Sequence, residues 1–130
     1  MRNLVRSIGL FRPLADQGDA WAQNNLGLLY ELGQGVPQDY AQAVKWYRLA
    51  ADQDDAWAQN MLGGMYELGQ GVPKDDVEAH KWHNLSAARA SADDAYLRDL
   101  AVKSRDRVAM RMTPAQVAEA QKRAGEWRPK

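Results

Sequence analysis

Residues 20–52 return at 56–88 without a gap, and 21 of the 33 aligned pairs are identical. LGLLYELGQGVPQDYAQAVKWYRLAA at 26–51 becomes LGGMYELGQGVPKDDVEAHKWHNLSA at 62–87. The unit is therefore a tandem repeat with a period of 36. A fixed period of this size marks stacked supersecondary units, each too small to bury its own apolar face.

Each unit reads as two helices and a tight turn. Asp19 is placed to cap a helix over 20–32, whose Ala22, Leu26, Leu29 and Tyr30 form one buried stripe. Gly27 lies inside that helix, where glycine costs roughly 1 kcal/mol against alanine. Its return as Gly63 indicates a close neighbour, with Ala43 and Ala79 as the expected partners. Gly33-Gln-Gly-Val-Pro37 ends the helix: Gly33 suits a left-handed C-terminus, Val36 fills the space between helices, and Pro37 cannot continue one. Asp39 with Gln42 predicts a capping box for a helix over 39–52, and Asp75 with Glu78 repeats it. Ala43, Trp46, Leu49 and Ala50 form that helix's buried face. The copies are expected at 56–68 and 75–89.

The flanks follow the repeat less closely. Residues 3–17 read as one helix with Leu4, Ile8, Phe11 and Ala15 on one face and Val5 beside them. Pro13 predicts a kink, or a break near Gly9. FRPLADQGDAWAQ resembles YRLAADQDDAWAQ at 47–59, so this helix corresponds to the second helix of an incomplete repeat. Ser91 with Asp94 predicts a cap for a helix reaching about residue 111. Thr113-Pro114-Ala115-Gln116 combines a capping box with proline at the first helical position and starts a last helix over 114–126. The whole is one all-α domain of about seven helices. It comprises a partial repeat at 3–18, repeats at 20–55 and 56–90, and a C-terminal capping pair at 91–128.

The formal net charge is zero, so the chain as a whole is no electrostatic ligand for nucleic acid or acidic membranes. Residues 92–130 carry nine Lys or Arg against six Asp or Glu. Arg98, Lys103, Arg105, Arg107 and Arg111 are spread around their helix with no interleaved aromatics, which does not suit nucleic acid. There are no cysteines, which excludes disulfides, iron–sulfur clusters and thiolate zinc sites. No stretch approaches a transmembrane span. Arg6 and Arg12 interrupt the N-terminal apolar run, which is too short for a signal sequence. As written the chain carries no address and reads as cytoplasmic; a longer natural precursor would allow the periplasm.

The residues Ala22, Leu26, Gly27, Tyr30, Glu31, Gly33, Gly35, Val36, Asp39, Ala43, Trp46, Ala50 and Ala51 resemble the Sel-1-like repeat, a relative of the tetratricopeptide repeat. Ala58, Leu62, Gly63, Tyr66, Glu67, Gly69, Gly71, Val72, Asp75, Ala79, Trp82, Ser86 and Ala87 repeat the pattern. The resemblance implies a right-handed α-solenoid whose concave face binds proteins or peptides. It implies adaptor and scaffold roles without catalysis or a cofactor. Cysteine-rich members are associated with β-lactams, and their cysteines are absent here.

Most recurring residues serve helix packing or the turn, Trp46 and Trp82 included. Trp21 and Trp57 differ, because they lie off the buried stripe of each first helix. With Asn24, Leu28 and Glu31, and with Asn60, Gly64 and Glu67, they mark a candidate face for a protein or peptide partner. The alternative is that each tryptophan packs against the preceding inter-repeat connection. His80 and His83 stand where Val44 and Tyr47 stood, three residues apart on one helix side. They are a weak zinc candidate, a surface pair lacking a third firm ligand, and repeat drift is the simpler reading. A hydrolase or small-ligand role centred on them is the second function considered. The third is self-association, as a homodimer through an uncovered apolar face of residues 4–15.

Overall fold

The computed structural model describes the backbone of residues 2–130 and the side chains from Ser7 onward. Leu4 and Val5 of the first apolar face lie outside the described side chains. Among the described residues there are seven helices and no strand. They are α1 (Arg2–Asp16), α2 (Ala20–Leu32), α3 (Tyr40–Asp52), α4 (Ala56–Leu68), α5 (Asp76–Arg89), α6 (Ala95–Ala109) and α7 (Pro114–Glu126). Neighbours in sequence pack in space, α1 on α2 through to α6 on α5, and α7 closes back onto α5. The result is an α-solenoid of antiparallel pairs.

Local chemistry sets the boundaries. Asp19, Asp39, Asp55, Asp75 and Asp94 each cap a helix by accepting from the backbone N–H three residues on. Thr113 and Gln116 form the full capping box, with Pro114 in the first turn. At Asp39 and Asp75 the expected box is only half made. Their own N–H groups are spent on the carbonyls of Tyr30 and Tyr66, both at 3.0 Å. Those bonds tie the end of each turn back to the helix before it, so Gln42 and Glu78 have no donor left to meet there. In α6 the cap is Asp94 alone. Ser91 instead accepts the Asp94 N–H through its carbonyl. Helix α1 runs unbroken through Pro13, without the break expected near Gly9.

The core is assembled across units. Ala58, Leu62 and Met65 of α4 pack with Ala43, Val44, Tyr47, Ala50 and Ala51 of α3 and with Trp82 and Leu85 of α5. Trp127 covers the far side of Trp82 edge-on, with ring centroids 5.9 Å apart. A smaller cluster joins Ala15, Ala22, Leu26 and Trp46, with Ile8 and Phe11 against it. Of the α1 face expected to lie open, Ile8, Phe11 and Ala15 are thus seated on α2 and α3. Among the described large apolar side chains of α1, Leu10 and Leu14 are exposed.

Gly27 and Gly63 make room mainly for rings rather than for Ala43 and Ala79. A Cβ on Gly27 would stand 2.8 Å from the Tyr47 ring, with the Ala43 carbonyl next at 3.2 Å. A Cβ on Gly63 would stand 2.8 Å from the His83 ring. Tyr47 and His83 are equivalent residues, so the glycine opens the slot into which the second helix inserts its ring.

Candidate binding groove

The first helices of successive units, α2, α4 and α6, share one face. On α2 the exposed residues Trp21, Leu28 and Leu32 lie seven and then four apart, which is one helix side. On α4 the equivalent residues are Trp57, Gly64 and Leu68, and Leu68 is 67% exposed. Such large apolar groups kept in water on one side of three adjacent helices are unusual.

Helix α6 continues the series in a way the period conceals. Asp94-Ala95-Tyr96-Leu97 repeats Asp55-Ala56-Trp57-Ala58, but at a spacing of 39 rather than 36. Tyr96 is therefore the third member of the Trp21–Trp57 set, and Arg107 occupies the place of Leu68. The signal was present in the sequence as the recurring Asp-Ala-aromatic start.

The two tryptophans are not equivalent in their surroundings. Trp57 stacks on Tyr96 at 6.3 Å, and its Nε1 donates to Asp94 Oδ2 at 2.9 Å. It thereby packs forward onto the start of the following unit. Trp21 makes a T-shaped contact with Phe11, ring centroids 5.2 Å apart, and remains 61% exposed. Trp57→Ala is therefore expected to destabilise by about 1 kcal/mol, and Trp21→Ala by less than about 0.5 kcal/mol, by thermal melting.

A cleft of about 300 Å³ opens between these helices. It is lined by Glu31 of α2, by Asn60, Met61, Gly64, Met65, Glu67 and Leu68 of α4, and by Gln70, His83, Ser104 and Arg107. Four of the sequence-derived site residues, Glu31, Asn60, Gly64 and Glu67, are brought together here. Trp21, Leu28 and Trp57 lie on the same helices outside the cleft. Asn24 is half-buried, and its Oδ1 has no hydrogen-bond partner among the described residues.

The cleft floor is polar and interlocked. His83 Nδ1 lies 2.7 Å from Asn60 Oδ1, and its Nε2 lies 3.4 Å from Glu67 Oε1. The latter is longer than a well-formed hydrogen bond. Arg107 grips Glu67 with two bonds, Nε to Oε2 at 2.8 Å and Nη2 to Oε1 at 2.9 Å. The His83 ring and, with better geometry, the Arg107 guanidinium hold the Glu67 carboxyl well below the usual carboxylate range, against the opposing effect of burial. In the first unit Tyr47 takes the place of His83 and donates its hydroxyl to Glu31 Oε1 at 2.7 Å. A tyrosine ring has no nitrogen to offer, which is why Asn24 lacks the partner that Asn60 finds.

His80 and His83 are both buried, not a surface pair. Burial, then the charge of Arg105, pushes the His80 imidazole below its ordinary value. Among the described residues no group of three or more His, Cys, Asp or Glu is arranged to hold a metal ion. The basic residues of α6, and Arg111 just beyond its end, are largely committed to partners within the molecule. Arg98 donates to the Ser91 carbonyl, Arg105 to Asn84, Arg107 to Glu67 and Arg111 to Asp76.

The Sel1 repeat pattern matches residues 22–55 and 58–91, more than half of the chain. The chain belongs to the Sel1 repeat family. Two solved structures carry the same fold. One is c5321, a protective antigen present in uropathogenic Escherichia coli strains and displaying an SLR fold. It is 31% identical with a TM-score of 0.83, over 92% of this chain and 24% of that one. The other is a Sel1 repeat protein from Oxalobacter formigenes. It is 32% identical with a TM-score of 0.60, over 89% of this chain and 52% of that one. The chain thus spans about a quarter and about half of these relatives' lengths. No curated protein matches it. Sel1 repeats generally mediate protein–protein interaction and typically act as scaffolds rather than catalysts. No described helix is long and apolar enough to cross a membrane.

Proposed function

We propose that this Sel1 repeat chain is a non-enzymatic interaction module that binds a protein or peptide segment along the face formed by α2, α4 and α6. The observation that carries this reading is the register of its exposed apolar groups. Trp21, Leu32 and Leu68 stay in water at matching positions of successive units, beside a cleft whose floor carries the Glu67–Arg107 pair. The helix packing does not need them there. An extended segment laid across the helices would cover them and reach the cleft, where Met61 offers an adaptable side chain.

Gly64 provides the test. A Cβ at this position meets nothing within 4 Å, and the equivalent residue in α2 is Leu28. Gly64→Leu is expected to raise stability by about 0.5–1 kcal/mol through helix propensity while filling the cleft. A partner retained by wild type and lost with this better-folded variant places binding at the groove. Equal retention by both would refute the reading.

A further inference from the structure

We propose that the cleft receives an arginine side chain of the bound segment, with Glu31 as the acceptor of its guanidinium. The inference rests on the groove reading above and names the chemistry of its partner. It comes from comparing the two copies of one position. In the second unit, Glu67 is met by Arg107 in a two-pronged pair at 2.8 and 2.9 Å. In the first unit, Glu31 holds the equivalent place, and no cation among the described residues pairs with it. The residue of α4 that stands where Arg107 stands in α6 is Leu68, which lines the cleft. The first unit therefore has the carboxylate without its cation, and it has that carboxylate at an open cleft.

Glu31 is prepared for such a partner. A carboxylate offers about four lone-pair sites, and the Tyr47 hydroxyl occupies one of them. Burial, reinforced by the Glu31 charge, pushes the Tyr47 hydroxyl far up, so it stays a donor and fixes the carboxylate's direction. Glu67 and Arg107 cancel each other's charge in the same cleft, which leaves Glu31 as an uncompensated negative group. Arginine fits better than lysine, because its planar fork matches a carboxylate bidentately. Its hydrocarbon stem would lie along Met61, Met65 and Leu68 while the head reached Glu31. The volume of about 300 Å³ suits one long side chain rather than a folded surface.

The test selects peptides from a random dodecapeptide display library on the wild-type chain and sorts them by loss of binding to Gly64→Leu. Cleft-dependent peptides are expected to carry an arginine with apolar neighbours. In a synthetic peptide from that set, replacing the arginine by citrulline, its uncharged isostere, should weaken binding to wild type by about tenfold or more. On Glu31→Gln the two peptides should bind within about twofold of each other. That variant keeps an amide oxygen for Tyr47, and its thermal midpoint should stay within about 3 °C of wild type. Cleft-dependent peptides without arginine, or a citrulline form that binds wild type as tightly, would overturn the arginine assignment and leave the groove standing. If every selected peptide binds Gly64→Leu as well as wild type, the groove reading falls and this inference with it.

Discussion

Gly71→Ala is expected to lower stability by about 3 kcal/mol, roughly a 10 °C drop in melting midpoint for a domain of this size. Two costs combine. The φ of Gly71 is 75°, a left-handed conformation that a Cβ disfavours. A Cβ there would also stand 2.7 Å from the carbonyl carbon of Tyr40 and 2.9 Å from Val44 Cγ2. Tyr40 opens α3, which belongs to the preceding unit, so the turn of the second unit is seated on the second helix of the first. Backbone cannot yield as a flexible side chain does, and relief would require the units to separate. An internal control isolates the first cost. Gly18 also has a positive φ, 94°, but a Cβ there meets nothing within 4 Å. Gly18→Ala should therefore cost only about 1 kcal/mol. The chain itself supports the smaller figure, because Asp54 occupies the position equivalent to Gly18 with φ 69°. There it accepts Gln59 Nε2 at 3.1 Å and Arg89 Nε at 2.8 Å. Equal losses for the two alanine variants in denaturant titrations would mean that the contact between units carries no energy.

The fold was legible because one period fixes both helices and the turn together. Gly33, Gly69 and the capping aspartates recur at matching places, and each local signal agrees with the stack. What remained hidden depends on distance or on a broken period. Tyr96 was missed because α5 is one residue longer than α3 and the connection after it two residues longer, which moves its match with Trp57 out of register. His80 and His83 were read as surface residues because titratable groups usually face water. Their alignment with Val44 and Tyr47, both core residues, carried the better signal. The grip of Arg107 on Glu67 joins residues 40 apart and follows no repeat. Half of the expected groove residues meet in the cleft for a simple reason. Asn60, Gly64 and Glu67 follow one another down α4, and Glu31 reaches them from the C-terminal end of α2, whereas the tryptophans lie at the N-terminal ends and Asn24 and Leu28 lie further up α2.

Glu67→Gln is expected to cost about 2 kcal/mol at neutral pH, and the cost should fade in acid. The variant keeps the side chain's shape and one acceptor oxygen but removes the charge facing His83, Arg107 and, at 3.5 Å, Arg111. Glu67 is only 7% exposed, so water does not replace the lost partner. The folded protein holds this carboxyl well below its ordinary value of 4.5, through His83 and then Arg107. A depressed folded value means that the contribution is complete above the unfolded value and is lost as the pH falls toward the folded one. The gap in unfolding free energy between wild type and variant should therefore be flat from about pH 8 to pH 6. It should begin to close near pH 4.5 and shrink at up to about 1.4 kcal/mol per pH unit below that. Other carboxylates titrate in the same range, but they do so in both proteins and cancel in the difference. Urea titrations of the pair at pH 7, 4 and 3 are enough to trace the curve. A gap that stays constant down to pH 3 would show that Glu67 contributes through its shape and hydrogen bonds alone. The charge at the cleft floor would then be free to serve a ligand rather than the fold.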